Sequence, residues 1–235
     1  MFEFREAFAI AAALIASGDP DLFEIVGLSI RVSGSAVIIG CVLGFPLGAA
    51  LATYRFTGRT VAIVVVNALM GLPPVVIGLM VYMTLSNSGP FGWLQLLYTP
   101  KAMIIAQIIV VAPIIAALSR QIIEDLHVRY DEQLRSLGVH GFGQLRTLLY
   151  EARYALSTII LAAFGRAIAE VGAVIIVGGN INHVTRVMTT AIALETSRGD
   201  LALAMALGIV LMCIALIVNG SVVALKRTEP EVAYG

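Results

Sequence analysis

An arginine and a glutamate stand four residues apart in an otherwise apolar stretch, at Arg166 and Glu170. On a helix this spacing brings both side chains to one face, where they can form an ion pair. Charges inside a membrane are costly and face protein or a water-filled path. Two interpretations stay open, a structural ion pair and a switch in a pathway. Because a paired arginine offers little charge to a ligand, neither residue is predicted to bind a substrate directly.

Charge is also concentrated between Arg120 and Arg153, which bound a segment with ten of the thirty charged residues. Gly138 predicts a turn with a positive φ, and a second short helix should restart near Gln144. Before the turn, apolar residues recur at helical spacing: Leu126, Tyr130, Leu134 and Leu137. A segment that only linked two spans would not need an apolar stripe. The segment is therefore predicted to be a docking surface for a partner.

The chain lacks the motifs of several enzyme classes. It has no phosphate-cradling Gly-x-x-x-x-Gly-Lys-Ser/Thr loop, no Gly-x-Ser-x-Gly run and no His-Glu-x-x-His motif. Cys41 and Cys213 lie in apolar runs, and the three histidines have no metal-ligand spacing. We therefore predict no catalytic residue, no metal site, no cofactor and no nucleic-acid partner. Any step driven by ATP would need another chain to bind ATP and magnesium.

The composition is that of a membrane protein. Of 235 residues, 59% are hydrophobic and 13% are charged, whereas soluble domains carry about 25% charged residues. A spanning helix needs roughly 20 apolar residues, and four windows of about that length or more have no charge: 32–54, 60–100, 102–119 and 201–225. The lipid bilayer is thus an expected partner, and the fold class is predicted to be all-α and polytopic.

About five spans are predicted within a membrane domain at residues 19–228, followed by a polar tail at 229–235. Asp19 is the expected N-cap of the first span and Pro20 its first residue. Residues 1–18 lack the positive start of a signal peptide and are interpreted as an interfacial helix, with a cleaved or spanning segment as the alternative. A cytoplasmic loop at 120–154 separates the third span from the fourth. The predicted spans are 22–54, 60–85, 101–119, 155–177 and 200–225.

Five spans place the two ends of the membrane domain on opposite faces, and the positive-inside rule orients them. One face carries four basic residues, and the other carries nine: Arg55, Arg59, Arg120, Arg129, Arg135, Arg146, Arg153, Lys226 and Arg227. The nine-residue face is predicted to be cytoplasmic. The charged loop and the C-terminus then lie inside the cell, and the N-terminus lies outside.

Two breaks are predicted in the membrane domain. Pro73 and Pro74 remove backbone donors, so Gly-Leu-Pro-Pro at 71–74 must kink or break the second span. The break is either a packing kink or part of a pathway, since irregular backbone at this depth needs protein or water around it. Gly-Gly-Asn at 178–180 ends the fourth span.

Beyond it, Thr189 and Thr190 are expected to cap the helix that leads to the fifth span rather than to bind an anion.

The loop with Glu132 and Gly138 resembles the cytoplasmic "EAA" loop of ATP-binding-cassette importer permeases, although the family's paired alanines fall at Gln133 and Leu134. The run Arg-Ala-Ile-Ala-Glu-Val-Gly-Ala at 166–173 is similar to that of molybdate and tungstate permeases. Residues 71–78 and 178–200 resemble the tungstate branch more closely. The resemblance covers roughly residues 20–225.

The resemblance implies an inner-membrane permease with an all-α, type I importer fold that forms the pathway for an oxyanion, most closely tungstate. It implies three kinds of partner: a second copy of the chain, two cytoplasmic ATPase subunits and an external oxyanion-binding protein. Molybdate, sulfate or phosphate is the alternative cargo. A secondary transporter is the alternative class, but such proteins use several intramembrane carboxylates, whereas Glu170 is the one carboxylate clearly inside a predicted span.

Three sets of site residues follow. Docking to the ATPase is assigned to Glu132, Leu134, Arg135, Leu137, Gly138, Val139 and Phe142. Candidates for the pathway or its gate are Pro73, Pro74, Gly78, Arg166, Glu170, Gly172, Thr189 and Thr190. Candidates for contact with the external binding protein are Arg186, Glu195, Arg198 and Asp200.

Overall fold

A computed structural model describes residues 2–228, which form ten α-helices, one 3-10 turn at Gly92–Leu94 and no β-strand. The helices are α1 (Phe2–Ser17), α2 (Pro20–Thr53), α3 (Arg59–Met70), α4 (Pro74–Leu85), α5 (Pro100–Ser136), α6 (Phe142–Glu151), α7 (Arg153–Ile168), α8 (Gly172–Gly178), α9 (Met188–Arg198) and α10 (Leu201–Thr228). The all-α prediction is confirmed. The predicted tail at 229–235 lies outside the described residues.

Three helices are long and apolar enough to cross a membrane: α2, α5 and α10. Two further pairs pass the same test when each is counted as one bent span. The axes of α3 and α4 differ by 99°, and those of α6 and α7 differ by 71°. Counting each bent pair once gives up to five spans, in agreement with the predicted polytopic fold.

The first span begins as its sequence predicts. The Asp19 carboxylate accepts a hydrogen bond from the backbone N–H of Leu22 at 3.0 Å, and Pro20 is the first helical residue. Pro20 fits there because the first turn of a helix needs no donor from that position. Before this cap, α1 packs through Ala11 into an apolar cluster with Ala206 and Leu207 of α10. The assignment of residues 1–18 to the membrane surface stays a prediction.

The predicted span boundary at residue 120 is not the end of a helix, because α5 does not stop where charge begins. The helix continues for 37 residues to Ser136. No glycine or proline follows Pro113 within it, so nothing in the backbone ends it at the membrane surface. The first half of the predicted loop 120–154 is therefore helical and continuous with the third span.

The fourth span also differs from the prediction. The single span expected at 155–177 is interrupted, because α7 ends at Ile168 and α8 starts at Gly172. The polar segment between the fourth and fifth spans contains α9. Hydrogen bonds to two side chains start these short helices: Glu170 accepts from the N–H of Ala173, and Thr190 accepts from the N–H of Val187.

The parallel pair of α2 and α5 forms the centre of the bundle. Positions 40, 44 and 48 of α2 face successive turns of α5 between residues 111 and 120. A Cβ built on Gly48 would lie 2.5 Å from the carbonyl oxygen of Ala116, and one on Gly44 would lie 2.8 Å from Cγ2 of Ile115. Glycine lets the two backbones approach this closely, as small residues commonly do between membrane helices.

Charged residues mark both ends of the apolar part of this pair. Lys101 stands at the start of α5, and Arg120 lies 19 residues further on, a rise of about 29 Å. That length matches the roughly 30 Å hydrocarbon core of a bilayer. At the Arg120 end, the Glu124 carboxylate pairs with Arg120 through one oxygen and with Arg59 of α3 through the other, at 2.7 Å.

Candidate functional sites

The breaks in the second and fourth spans lie against each other. A Cβ built on Gly78 of α4 would lie 2.8 Å from the Cα of Ala173 in α8. A Cβ built on Gly172 would lie 2.5 Å from Cγ2 of Val75. The backbones therefore touch at these two glycines, just after the prolines that begin α4. We call this region, formed by residues 71–78 and 169–173, the break junction.

An ion pair lies at the break junction. The Arg166 guanidinium donates from Nη1 to Oε2 of Glu170 at 2.5 Å, so the predicted pairing is confirmed. The Glu170 side chain is 5% exposed and that of Arg166 is 41% exposed. The other carboxylate oxygen, Oε1, accepts from the backbone N–H of Ala173 at 3.3 Å. Removing the arginine would leave a buried carboxylate without its counter-charge, which is strongly destabilising.

Both threonines predicted at the outer mouth make hydrogen bonds within the chain. Thr189 donates to the backbone oxygen of Glu170 at 2.8 Å, which connects α9 to the break junction. Thr190 accepts from the N–H of Val187 at 3.2 Å and donates to Oδ1 of Asn180 at 2.9 Å. Thr190 thus caps α9, the helix that leads to α10, as predicted. Neither hydroxyl is left free to bind an anion.

Two polar residues at this site were not predicted. Gln107 of α5 is 3% exposed and donates from Nε2 to the backbone oxygen of Ala167 at 2.9 Å, at the end of α7. Its Oε1 is buried and finds no partner among residues 2–228. Ser29 of α2 accepts from the N–H of Met188 at 2.8 Å and so anchors the start of α9. The sequence contained one signal for this role, since Gln107 carries the one side-chain amide in the charge-free window 102–119.

The predicted docking segment forms a helical hairpin of the end of α5, a turn and α6. Gly138 in the turn has φ +72°, as predicted, and Gly141 has φ +59°. Leu137 is 76% exposed and Phe142 is 77% exposed, so both side chains are open at the tip. We call residues 132–142 the hairpin tip.

Of the predicted apolar contacts, Leu134 is buried within the hairpin and Val139 is partly buried. Leu134 is 8% exposed because α6 folds back on α5 and covers it together with Leu148. Val139 is half-buried against the same core. These side chains hold the hairpin together, and Leu137 and Phe142 are the predicted apolar contacts that remain accessible.

Polar contacts stiffen the hairpin. Gln144 of α6 donates from Nε2 to Oδ1 of Asp131 at 3.1 Å and lies 3.1 Å from Nδ1 of His127. Arg135 pairs with the other Asp131 oxygen at 2.9 Å. By contrast, Glu132 is exposed and forms no ion pair or hydrogen bond within the described chain. Glu132 is therefore the predicted polar contact most available to a partner.

The four residues predicted to contact the external binding protein differ in how far their side chains are buried. Glu195 is 5% exposed, because Arg186 lies 3.5 Å and Arg198 3.3 Å from its Oε1. Its assignment as a surface contact is therefore wrong in the described chain. Arg198 keeps 58% of its side chain exposed. Asp200 is exposed and accepts from the N–H of Leu203, which caps α10.

A histidine connects the loop before α9 to the start of α2. His183 Nδ1 lies 2.9 Å from Oε2 of Glu24, and both side chains are exposed. The hydrogen bond to Glu24 raises the pKa of His183, and the charge of Asp21 adds to this effect while Arg186 opposes it. Asp21, Glu24 and His183 lie within 4.8 Å of one another.

Comparisons with known proteins agree with this architecture. Residues 44–228 match the family described as "Binding-protein-dependent transport system inner membrane component". The chain is 38% identical over 222 residues to the tungstate uptake system permease protein TupB of Peptoclostridium acidaminophilum, covering 94% of this chain and 97% of that protein. It is 35% identical over 223 residues to TupB of Campylobacter jejuni, covering 95% and 93%. The sulfate transport system permease protein CysW of Escherichia coli K12 is 27% identical over 194 residues, covering 79% and 67%.

Proposed function

The chain belongs to the family of inner-membrane components of binding-protein-dependent transport systems, and on that premise we propose that it is the permease of a tungstate importer driven by ATP. Identities of 38% and 35% to two tungstate permeases over nearly the whole chain support this cargo. The lower identity of 27% to a sulfate permease supports it as well. Molybdate, sulfate and phosphate remain the alternatives to be tested.

In this proposal the chain is a transport subunit and not an enzyme. Two separate ATPase subunits bind ATP and Mg²⁺ and dock on the cytoplasmic side. The hairpin tip supports such docking, since it presents Leu137, Phe142 and Glu132 without partners of their own. Apolar anchors surrounded by polar groups are common at the centre of protein interfaces.

Two further kinds of partner complete the proposed complex. A second copy of the chain forms a homodimer around the pathway, and an external oxyanion-binding protein delivers the cargo. On the outer face, Arg198 and Asp200 are the exposed candidates for contact with that protein. The proposed location is the inner membrane, with the N-terminus outside and the hairpin tip and C-terminus in the cytoplasm, as positive-inside counting favours.

The break junction is the proposed moving part of the pathway. Two short helices, α4 and α8, meet there, and both begin at interruptions of longer spans. Hinges are generally the ends of elements that absorb changes in backbone angle. The pair Arg166 and Glu170 spans the interruption between α7 and α8, so it is placed to hold one arrangement of the gate.

Reconstitution tests the function directly. The chain would be co-expressed with its ATPase, placed in proteoliposomes, and supplied with receptor loaded with tungstate, molybdate or sulfate. We expect uptake of tungstate that requires ATP, with less uptake of the other anions. Uptake of sulfate at an equal or higher rate would refute the proposed cargo. Uptake without ATP, driven by an ion gradient, would refute the proposed class.

A variant pair tests the docking surface in the same system. Gly138→Asp places a negative charge on the hairpin tip and should abolish ATP-driven uptake while membrane insertion is retained. Gly208→Ala is the control, because a Cβ at that position of α10 meets nothing within 4 Å. If Gly138→Asp still couples ATP hydrolysis to the loaded receptor, the hairpin tip is not the docking surface.

A further inference from the structure

A cavity of about 460 Å³ opens between α2, the loop before α5 and the first turn of α5. Most of its lining is apolar or backbone, and its two charged groups are both basic. Residues that line it include Arg31, Leu94, Gln95, Thr99, Lys101 and Ile104. No carboxylate is among the lining residues. We call this cavity the outer vestibule.

Neither basic residue of the outer vestibule has a partner. Arg31 and Lys101 are exposed, and neither makes a hydrogen bond or ion pair with any residue that the structure describes. The other basic side chains described on the outer face behave differently, since Arg186 and Arg198 both pair with Glu195. Among the side chains that the structure describes on this face, unpaired positive charge is therefore concentrated at one cavity.

The packing of α2 against α5 explains why these two residues line one cavity. The helices run parallel, with position 40 of α2 facing position 111 of α5 and position 48 facing position 119. Extending this register by two to three turns places Arg31 opposite the first turn of α5, where Lys101 stands. Arg31 therefore lies near the outer end of the apolar part of α5 and not in the middle of the membrane.

The other groups at the outer vestibule also suit an anion. The N-terminus of α5, a helix of 37 residues, lies at the cavity wall, and the dipole of a helix favours negative charge at that end. Gln95 contributes an amide, and its backbone has φ +49°. Thr99 is already occupied, because it donates to Leu96 and caps Ala102.

We propose that the outer vestibule binds a tetrahedral oxyanion with two negative charges, held by Arg31 and Lys101, before the anion enters the pathway. Charge-assisted hydrogen bonds from an arginine and a lysine match the charge of such an anion. This inference rests on the proposed function, since the anion is the cargo that the receptor releases. A site lined by one sign of charge also raises the local concentration of the opposite ion.

The test measures binding of radiolabelled tungstate to the full permease–ATPase complex without receptor, in nanodiscs of neutral phosphatidylcholine. Arg31→Gln and Lys101→Gln should each weaken binding, and the double variant should weaken it at least about tenfold. The control is Arg55→Gln, which removes the same charge from the cytoplasmic side and should leave binding unchanged. Equal binding by the double variant and the unmodified chain would overturn the proposal.

Two further measurements separate this proposal from others. Nanodiscs of anionic phosphatidylglycerol test the lipid phosphate as the source of the anion. If labelled lipid is retained by Arg31 and Lys101 while tungstate does not displace it, the site belongs to lipid and the proposal fails. Receptor-dependent uptake is measured in parallel. An unmodified complex that carries no oxyanion would refute the proposed function, whereas normal uptake by the double variant would refute only the outer vestibule.

Discussion

Gly78→Ala tests whether the break junction requires direct contact between two backbones. The new Cβ would lie 2.8 Å from the Cα, 3.1 Å from the oxygen and 3.3 Å from the carbonyl carbon of Ala173. Ordinary contact between carbon atoms begins near 3.5 Å. The two helices must therefore separate by at least about 0.7 Å, and no side-chain rotation can relieve the overlap because all three atoms belong to the backbone.

The size of the effect follows from two opposing contributions. Overpacking a closely packed contact costs about 1–3 kcal/mol, with the upper part of that range expected where the neighbour is backbone. Alanine in place of glycine within a helix recovers about 1 kcal/mol. We expect Gly78→Ala to lower the free energy of unfolding by about 1–2 kcal/mol, or the melting temperature by roughly 2–8 °C. Uptake should fall further, since the gate itself is displaced.

The measurement is a thermal melt of the purified complex together with ATP-driven uptake. The control variant Gly208→Ala adds the same methyl group where nothing lies within 4 Å, so it should be neutral or stabilising. Combining Gly78→Ala with Ala173→Gly should not restore uptake, because the clash is with the backbone of residue 173. Normal stability and uptake in Gly78→Ala, or rescue by Ala173→Gly, would refute this account of the junction.

Three further predictions concern the hairpin tip and the loop before α9. Gly138→Val should uncouple ATP hydrolysis from the loaded receptor, because a β-branched residue is strained at φ +72°. Gly138→Asn should retain most coupling, because asparagine is tolerated there. Equal stimulation of ATPase activity by the receptor in the two variants would contradict this prediction. Leu134→Ala should lower the free energy of unfolding by about 2–4 kcal/mol. Leu137→Ala should change it by no more than about 0.5 kcal/mol but should weaken co-purification with the ATPase. A larger loss of thermal stability in Leu137→Ala than in Leu134→Ala would contradict the assigned roles. The pKa of His183 is raised by its hydrogen bond to Glu24, so this contact stabilises the loop fully below pH 6.5 and is lost as pH rises through the higher folded pKa. The hydrogen-exchange protection factors of residues 179–187 should fall over that range, and a fall of equal size in Glu24→Gln would argue against the pair.

Several local features could be predicted because residues close in sequence determine them. The cap of Asp19 on α2 requires only the next three residues. The break at Pro73 follows from the backbone donors that proline lacks. The pair of Arg166 and Glu170 needs only one turn of helix, and the positive φ of Gly138 needs only a turn.

Features that depend on tertiary contacts could not be predicted in this way. The stripe containing Leu134 indicated an apolar face correctly, but the pattern cannot tell whether α6 or another protein covers that face. The end of α7 at Ile168 depends on Glu170 capping α8 and on Gln107 holding the carbonyl of Ala167. The latter contact joins residues that are 60 positions apart.

The continuity of α5 has a mechanical consequence. Its 37 residues form a rod of roughly 55 Å, with Lys101 near one end and the hairpin tip at the other. A tilt of about 5° around the middle of such a rod moves its ends roughly 2.5 Å in opposite directions. Because α2 fits against α5 at three glycines, the two helices should tilt as a single lever. Closing of the permease at the end that carries the hairpin tip and opening at the Lys101 end would then be one movement, with no signal relayed between separate parts.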